Sequence, residues 1–158
     1  MYVNTFSCGL YRLTGLDTDA PAAVPALFSP YEPGKYCAVP VTIGNYWIQP
    51  SATERAIVAL DLSDPANPRE ASRLTLDSAF VGPHWIAADP KAPRIVVTSD
   101  EGAWVLLVDV DPATGALRLD EAFRDAGAGR VGLNFDRPEW PHGSGGHAMP
   151  HGAVFGSR

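Results

Sequence analysis

What most constrains this chain is its likeness to itself. Leu74-Thr75-Leu76-Asp77-Ser78-Ala79-Phe80 returns as Leu117-Arg118-Leu119-Asp120-Glu121-Ala122-Phe123, with five of seven positions identical. Upstream, Asp64-Pro65-Ala66 returns as Asp111-Pro112-Ala113, and in both copies a β-type run ending in Leu-Asp or Val-Asp comes first. A fainter third copy opens the chain, where Leu16-Asp17-Thr18-Asp19-Ala20-Pro21 precedes Val24-Pro25-Ala26-Leu27-Phe28. A period of roughly 40–50 residues, rich in short strands and turns, is the signature of propeller blades. The 15 glycines and 15 prolines among 158 residues agree, because both residue types interrupt long helices.

Each repeat reads as four antiparallel strands, taken from the inside of a blade outward. Inner strands fall near Tyr36–Thr42, His84–Asp89 and His151–Phe155. Second strands fall at Tyr2–Phe6, Asn45–Gln49 and Arg94–Ser99, where β-branched and aromatic side chains suit a half-buried pleat. Third strands span Gly9–Leu16, Ala56–Leu62 and Trp104–Val110, each closed by an Asp-containing turn. In Asp111-Pro112-Ala113-Thr114-Gly115 the Pro fixes φ and the Gly supplies a positive one. Outer strands lie near Ala22–Phe28, Glu70–Leu76 and Ala116–Leu119, more polar as a water-facing edge should be. Ser51-Ala52-Thr53-Glu54 has capping-box spacing and would allow a helix over Arg55–Leu60, but the repeat places that stretch on a strand.

The fold expected is therefore all-β, a partial β-propeller over residues 1–158. Its blade repeats cover about 1–30, 35–80 and 83–124, a His- and Gly-rich loop covers 125–150, and a final inner strand covers 151–156. Three blades do not close a ring, since propellers have about four to eight. The chain is expected to be the C-terminal part of a larger propeller of about seven blades. The alternative is a ring completed by self-association through open blade edges.

The 46% hydrophobic and 19% charged composition suits a globular core, and the net charge of −6 with no basic stripe argues against a nucleic acid partner. No apolar run approaches the roughly 18 residues of a membrane helix, and the first residues lack the pattern of a signal peptide, so a soluble chain with no membrane partner is expected. Cys8 and Cys37 have no metal-site spacing. One bridge or two thiols are both open, and the compartment is not fixed by them.

The chemistry-bearing residues cluster. His84 lies in Gly82-Pro83-His84-Trp85, and His142, His147 and His151 lie in one Gly-rich stretch from Trp140 to Gly152. On the blade assignment, His84 and His151 each begin an inner strand, which would bring both to one mouth of the central channel. Tyr36, followed by Cys37, holds the equivalent slot of the preceding blade, and Trp140 could line a pocket there. Converging imidazoles suit a transition metal, copper above all, with zinc or iron as alternatives, or acid–base work near neutral pH. The competing reading is that each imidazole bonds a loop carbonyl. Other motifs fail on context. Gly127-Ala128-Gly129-Arg130-Val131-Gly132 follows no strand, Gly143-Ser144-Gly145 is no nucleophile elbow, and the recurring Asp residues are turn caps rather than a calcium loop.

Arg94–Asp100, Trp104–Leu119 and the Asp111–Gly115 turn resemble the blades of the YVTN and lactonase-type propellers, and Ala59-Leu60-Asp61-Leu62-Ser63-Asp64-Pro65-Ala66-Asn67-Pro68 resembles the LVIVD repeat. Leu106–Arg124 and the His-containing loop after it are similar to the C-terminal region of the selenium-binding protein and methanethiol oxidase family. That resemblance implies a propeller with a histidine-lined metal site, copper in the oxidase, and points to His84, His151, His142 and His147 as the metal-lining positions. The tail Pro150-His151-Gly152-Ala153-Val154-Phe155 departs from the family's usual ending. Two classes of function follow: a scaffold that binds a small molecule or a protein, and a metal-dependent oxidoreductase or lactonase-like hydrolase.

Overall fold

A computed structural model of the chain describes residues 1–27, 33–126, 129–141, 143 and 146–156. Among them there is no helix, and the strands fall into three antiparallel sheets. The first holds β1 (Tyr2–Asn4), β2 (Leu10–Thr14) and β3 (Ala22–Leu27). The second runs β4 (Val41–Ile43), β5 (Tyr46–Ser51), β6 (Ala56–Asp61) and β7 (Arg69–Thr75) in sequence order. The third repeats this meander with β8 (Pro83–Ala88), β9 (Arg94–Ser99), β10 (Trp104–Val110) and β11 (Leu117–Leu119). A short β12 (Leu133–Asn134), inside the stretch expected as loop, adds to the far end of β10.

Side-chain pattern explains the layering. The middle strands β5, β6, β9 and β10 are apolar on both faces and almost wholly buried, as strands covered on two sides must be. Tyr46, Ile48, Ile57 and Ala59 from the second sheet meet Ile86, Ile95, Val97, Leu106 and Val108 from the third in the main core, closed below by Phe80 and Leu117. The opposite face of the second sheet, Trp47, Val58 and Leu60, packs on Leu10 and Tyr2 of the first. Alternate residues of one strand thus serve two neighbouring sheets, which is how blades pack side by side. The outer strands β3 and β7 are largely exposed. Ala56–Asp61 is a strand, so the capping-box alternative does not form.

Two inner-strand assignments need correction. The strand expected over Tyr36–Thr42 begins only at Val41. Cys37 makes one isolated bridge to Ser51, and a disulfide joins it to Cys8 across 29 residues. Pro40 has no N–H to give a ladder, and the disulfide, with the Cys37 N–H on the Phe6 carbonyl at 2.9 Å, draws residues 36–38 toward the first sheet. The strand expected at His151–Phe155 does not form either. That segment lies against the open face of the third sheet, where Ala153 and Phe155 cover Val96, Val105 and Leu107. Side-chain donors replace ladder bonds there: Thr98 Oγ1 donates to the His151 carbonyl at 2.9 Å and Trp85 Nε1 to the Ala153 carbonyl at 3.0 Å.

Candidate metal centre

The site forms where a hairpin end, a crossing segment and the C-terminal segment meet. In the β8–β9 ladder Pro83 pairs with Ser99, and the register shifts before Ile86 pairs with Val97. His84 and Trp85 therefore stand opposite Thr98 alone, a β-bulge. In a regular strand neighbouring side chains point to opposite faces, whereas here both reach the C-terminal segment. The His84 ring lies 5.1 Å from that of His151, centroid to centroid, and Trp85 bonds to Ala153.

The same ladder supplies a third ligand. Asp100 follows directly on β9, one residue past the Pro83–Ser99 pair, so antiparallel pairing sets it beside the start of β8. Its backbone N–H donates to the Gly82 carbonyl at 2.9 Å. One ligand atom from each of His84, Asp100 and His151 lies within 4.8 Å of the others. Nδ1 of His84 is buried and has no hydrogen-bond partner among the described residues. A buried ring nitrogen with no partner is costly, and a metal ion is one occupant that would satisfy it.

Tyr36 completes the corner. Its hydroxyl donates to Asp100 Oδ2 at 3.0 Å, and its ring stacks on Phe6 at 5.3 Å with planes 8° apart. Burial, then the hydrogen bond and charge of Asp100, with Glu101 adding to them, push its phenol above the ordinary tyrosine value. Gly82, beside this contact, has φ at +50°, a left-handed conformation that side-chain-bearing residues rarely adopt.

Of the residues singled out by sequence, His84 and His151 are brought together and Tyr36 reaches them through Asp100. Cys37 is a correction: it is half of a disulfide and offers no thiol. His147 stands apart, its ring exposed and its Nδ1 paired with the Asp136 carboxylate. Trp140 packs on Phe135 at 5.3 Å, with the Arg137 guanidinium 4.2 Å from its ring centroid. His142 lies outside the described residues. Asp100 was missed. Its signal was legible, because the residue after a second strand must neighbour the first residue of the inner strand it pairs with.

Two imidazoles and one carboxylate are a donor set used for zinc and for iron(II), and three protein donors leave coordination positions for an exogenous ligand. Among the described residues no cysteine thiol joins the cluster, because Cys8 and Cys37 are bonded to each other.

No protein-family model matches the chain, and no curated protein matches it significantly. Solved structures do. A protein from Lactobacillus plantarum superposes with a TM-score of 0.59 at 15% identity, over 75% of this chain and 37% of its own. A hypothetical selenium-binding protein from Sulfolobus tokodaii superposes with a TM-score of 0.54 at 14% identity, over 71% of this chain and 33% of its own. The chain thus spans about a third of the length of these structures, and the likeness is one of fold: all-β, of the propeller type.

Proposed function

We propose that this chain is a blade segment of a larger propeller that acts as a ligand-binding scaffold, and that His84, Asp100 and His151 hold a divalent transition metal at its rim. The observation that carries the reading is the three-donor cluster, one of whose residues, His84, also has a buried ring nitrogen without a hydrogen-bond partner among the described residues. Zinc or iron(II) suits two imidazoles and a carboxylate. When bound, the metal supplies a Lewis-acid centre with open positions, and the ligand class is a small molecule bearing an oxygen, nitrogen or sulfur donor. The protein's part is to fix the three donors: the bulge aims His84, the bonds from Thr98 and Trp85 seat the His151 segment, and Tyr36 orients Asp100. The likeness in fold to a structure described as a hypothetical selenium-binding protein supports the scaffold part of the reading.

The test is metal content. The chain, equilibrated with zinc(II) or iron(II) and freed of excess by gel filtration, should retain close to one equivalent by elemental analysis. His84→Ala and His151→Ala should each lose it with the fold intact by circular dichroism. Sub-stoichiometric metal in the parent chain, or full retention by both variants, sinks the reading.

A further inference from the structure

The disulfide and the candidate metal centre meet at two adjacent residues. Tyr36 gives Asp100 its hydrogen bond, and Cys37 gives Cys8 its sulfur. The tie is reinforced through the turn that carries Cys8. Phe6, which stacks on Tyr36, also accepts the Cys37 N–H on its carbonyl, and Cys8 itself sits at φ 69°, a left-handed conformation that non-glycine residues hold only when surrounding structure imposes it. Residues 36–40 form no continuous strand, and the Cys37–Ser51 bridge with the Ala38 N–H on the Pro50 carbonyl at 3.1 Å pairs only part of this stretch with the end of β5. On the other side it has two local bonds, from its N–H to Thr53 Oγ1 at 3.1 Å and from the Ala52 N–H to its carbonyl at 3.2 Å. A cavity of about 220 Å³ beside the disulfide is lined by Cys8, Cys37, Gln49 and Ser51 among others.

We infer that the Cys8–Cys37 disulfide sets the metal affinity of the His84–Asp100–His151 cluster by holding Tyr36 against Asp100. The inference rests on the metal reading above. Tyr36 is a positioning residue: it touches no metal, and it fixes which oxygen of Asp100 is left for coordination. Groups bonded to metal ligands in this way alter affinity by about 10–100-fold when removed. A dithiol reductant would open the bridge by exchange. It delivers two electrons and two protons, becomes a disulfide itself, and leaves thiols on Cys8 and Cys37. The Phe6 turn then relaxes, the stack on Tyr36 loosens, and Asp100 loses its fixed orientation. The oxidised chain is the tight-binding form and the reduced chain the weak one.

The experiment titrates the full oxidised chain with cobalt(II), whose visible absorption reports ligand geometry, and compares Tyr36→Phe, Phe6→Ala, the Cys8→Ser/Cys37→Ser pair, and the pair combined with Tyr36→Phe. Tyr36→Phe should weaken cobalt binding about tenfold and shift the visible bands. Phe6→Ala, which keeps the disulfide, should act in the same direction. The cysteine pair should weaken binding in the Tyr36 background and have little further effect once Tyr36 is Phe, because two changes on one path are not additive. Unchanged cobalt affinity and bands in Tyr36→Phe and Phe6→Ala overturn the inference even if the cysteine pair fails to fold. Full additivity of the cysteine pair with Tyr36→Phe also overturns it. If the parent chain binds no cobalt, the metal reading falls and this one with it. If the parent binds and His84→Ala does not, while Tyr36→Phe matches the parent, only this inference falls.

Discussion

The indole N–H of Trp85 donates to the carbonyl of Ala153 at 3.0 Å, tying the inner strand of the third sheet to a segment that belongs to no strand. With the bond from Thr98 to His151 it is what seats the second imidazole. Trp85→Phe keeps an aromatic ring and removes the indole donor. It should speed proteolytic cleavage after Phe155 or within 151–156 and weaken metal retention, with a global unfolding midpoint changed by no more than about 1 kcal/mol in free energy. Limited proteolysis beside urea denaturation checks both. Equal cleavage rates would show that the bond does not hold the segment.

The disulfide closes a loop with a sequence separation of 29. Constraining the unfolded chain over that length is worth about 3–4 kcal/mol in the chain-entropy account. The Cys8→Ser/Cys37→Ser variant should lose stability of that order in urea. A loss below about 1 kcal/mol would place the first sheet's anchorage elsewhere, in the Trp47, Val58 and Leu10 contacts.

Gly115 carries φ +71°, and a Cβ there would lie 2.5 Å from Tyr46 Cδ1, whose own hydroxyl donates to the Ala113 carbonyl at 2.8 Å. Gly115→Ala meets a steric clash and an unfavourable backbone together, so it should destabilise by more than about 1 kcal/mol. Gly34→Ala, with a similar φ of +82° but open space around the Cβ position, should cost less. The difference between the two, by thermal denaturation, isolates the packing against Tyr46.

Core and surface should separate cleanly. Ile57 is fully buried between the second and third sheets, and Ile57→Val should cost about 1 kcal/mol. Val81, at 45% exposed, should tolerate Val81→Ala within about 0.5 kcal/mol.

The Tyr36 phenol titrates above its ordinary value, first through burial and then through Asp100. Its folded pKa exceeds the unfolded one, so the stabilisation it gives is complete below about pH 10 and is lost as pH rises from there through the folded pKa. At the other end, Asp61, Asp64, Asp89 and Asp111 accept turn hydrogen bonds that lower their pKa. What they contribute is present above about pH 4 and disappears on further acidification. Ultraviolet titration should find Tyr36 ionising late, and Asp100→Asn should bring it part of the way back. A titration indifferent to Asp100→Asn would contradict the Tyr36–Asp100 bond.

The internal repeat made the sheets legible where strands are apolar on both faces: Arg94–Ser99 and Trp104–Val110 fall where the repeat places them. It was least informative for inner strands, because what decides them is not local. Tyr36 to Pro40 meets β5 only around the Cys37–Ser51 bridge and is tied by a disulfide to the turn between β1 and β2, and among the described residues His151–Phe155 pairs with no strand. The approach of His84 to His151 could be read from blade order. Asp100 is reached through the pairing of β9 with β8 and not through spacing in the chain, and His147 shows how a histidine close in sequence turns instead to Asp136.

The two-against-one pairing at His84 and Trp85 carries a last implication. Shortening β8 by one residue there would restore perfect alternation, and an imidazole and an indole that now share a side would part to opposite ones. The local imperfection is thus what couples the grip on the tail to the aim of the ligand, so a change that loosens one reaches the other without any alteration in chemistry.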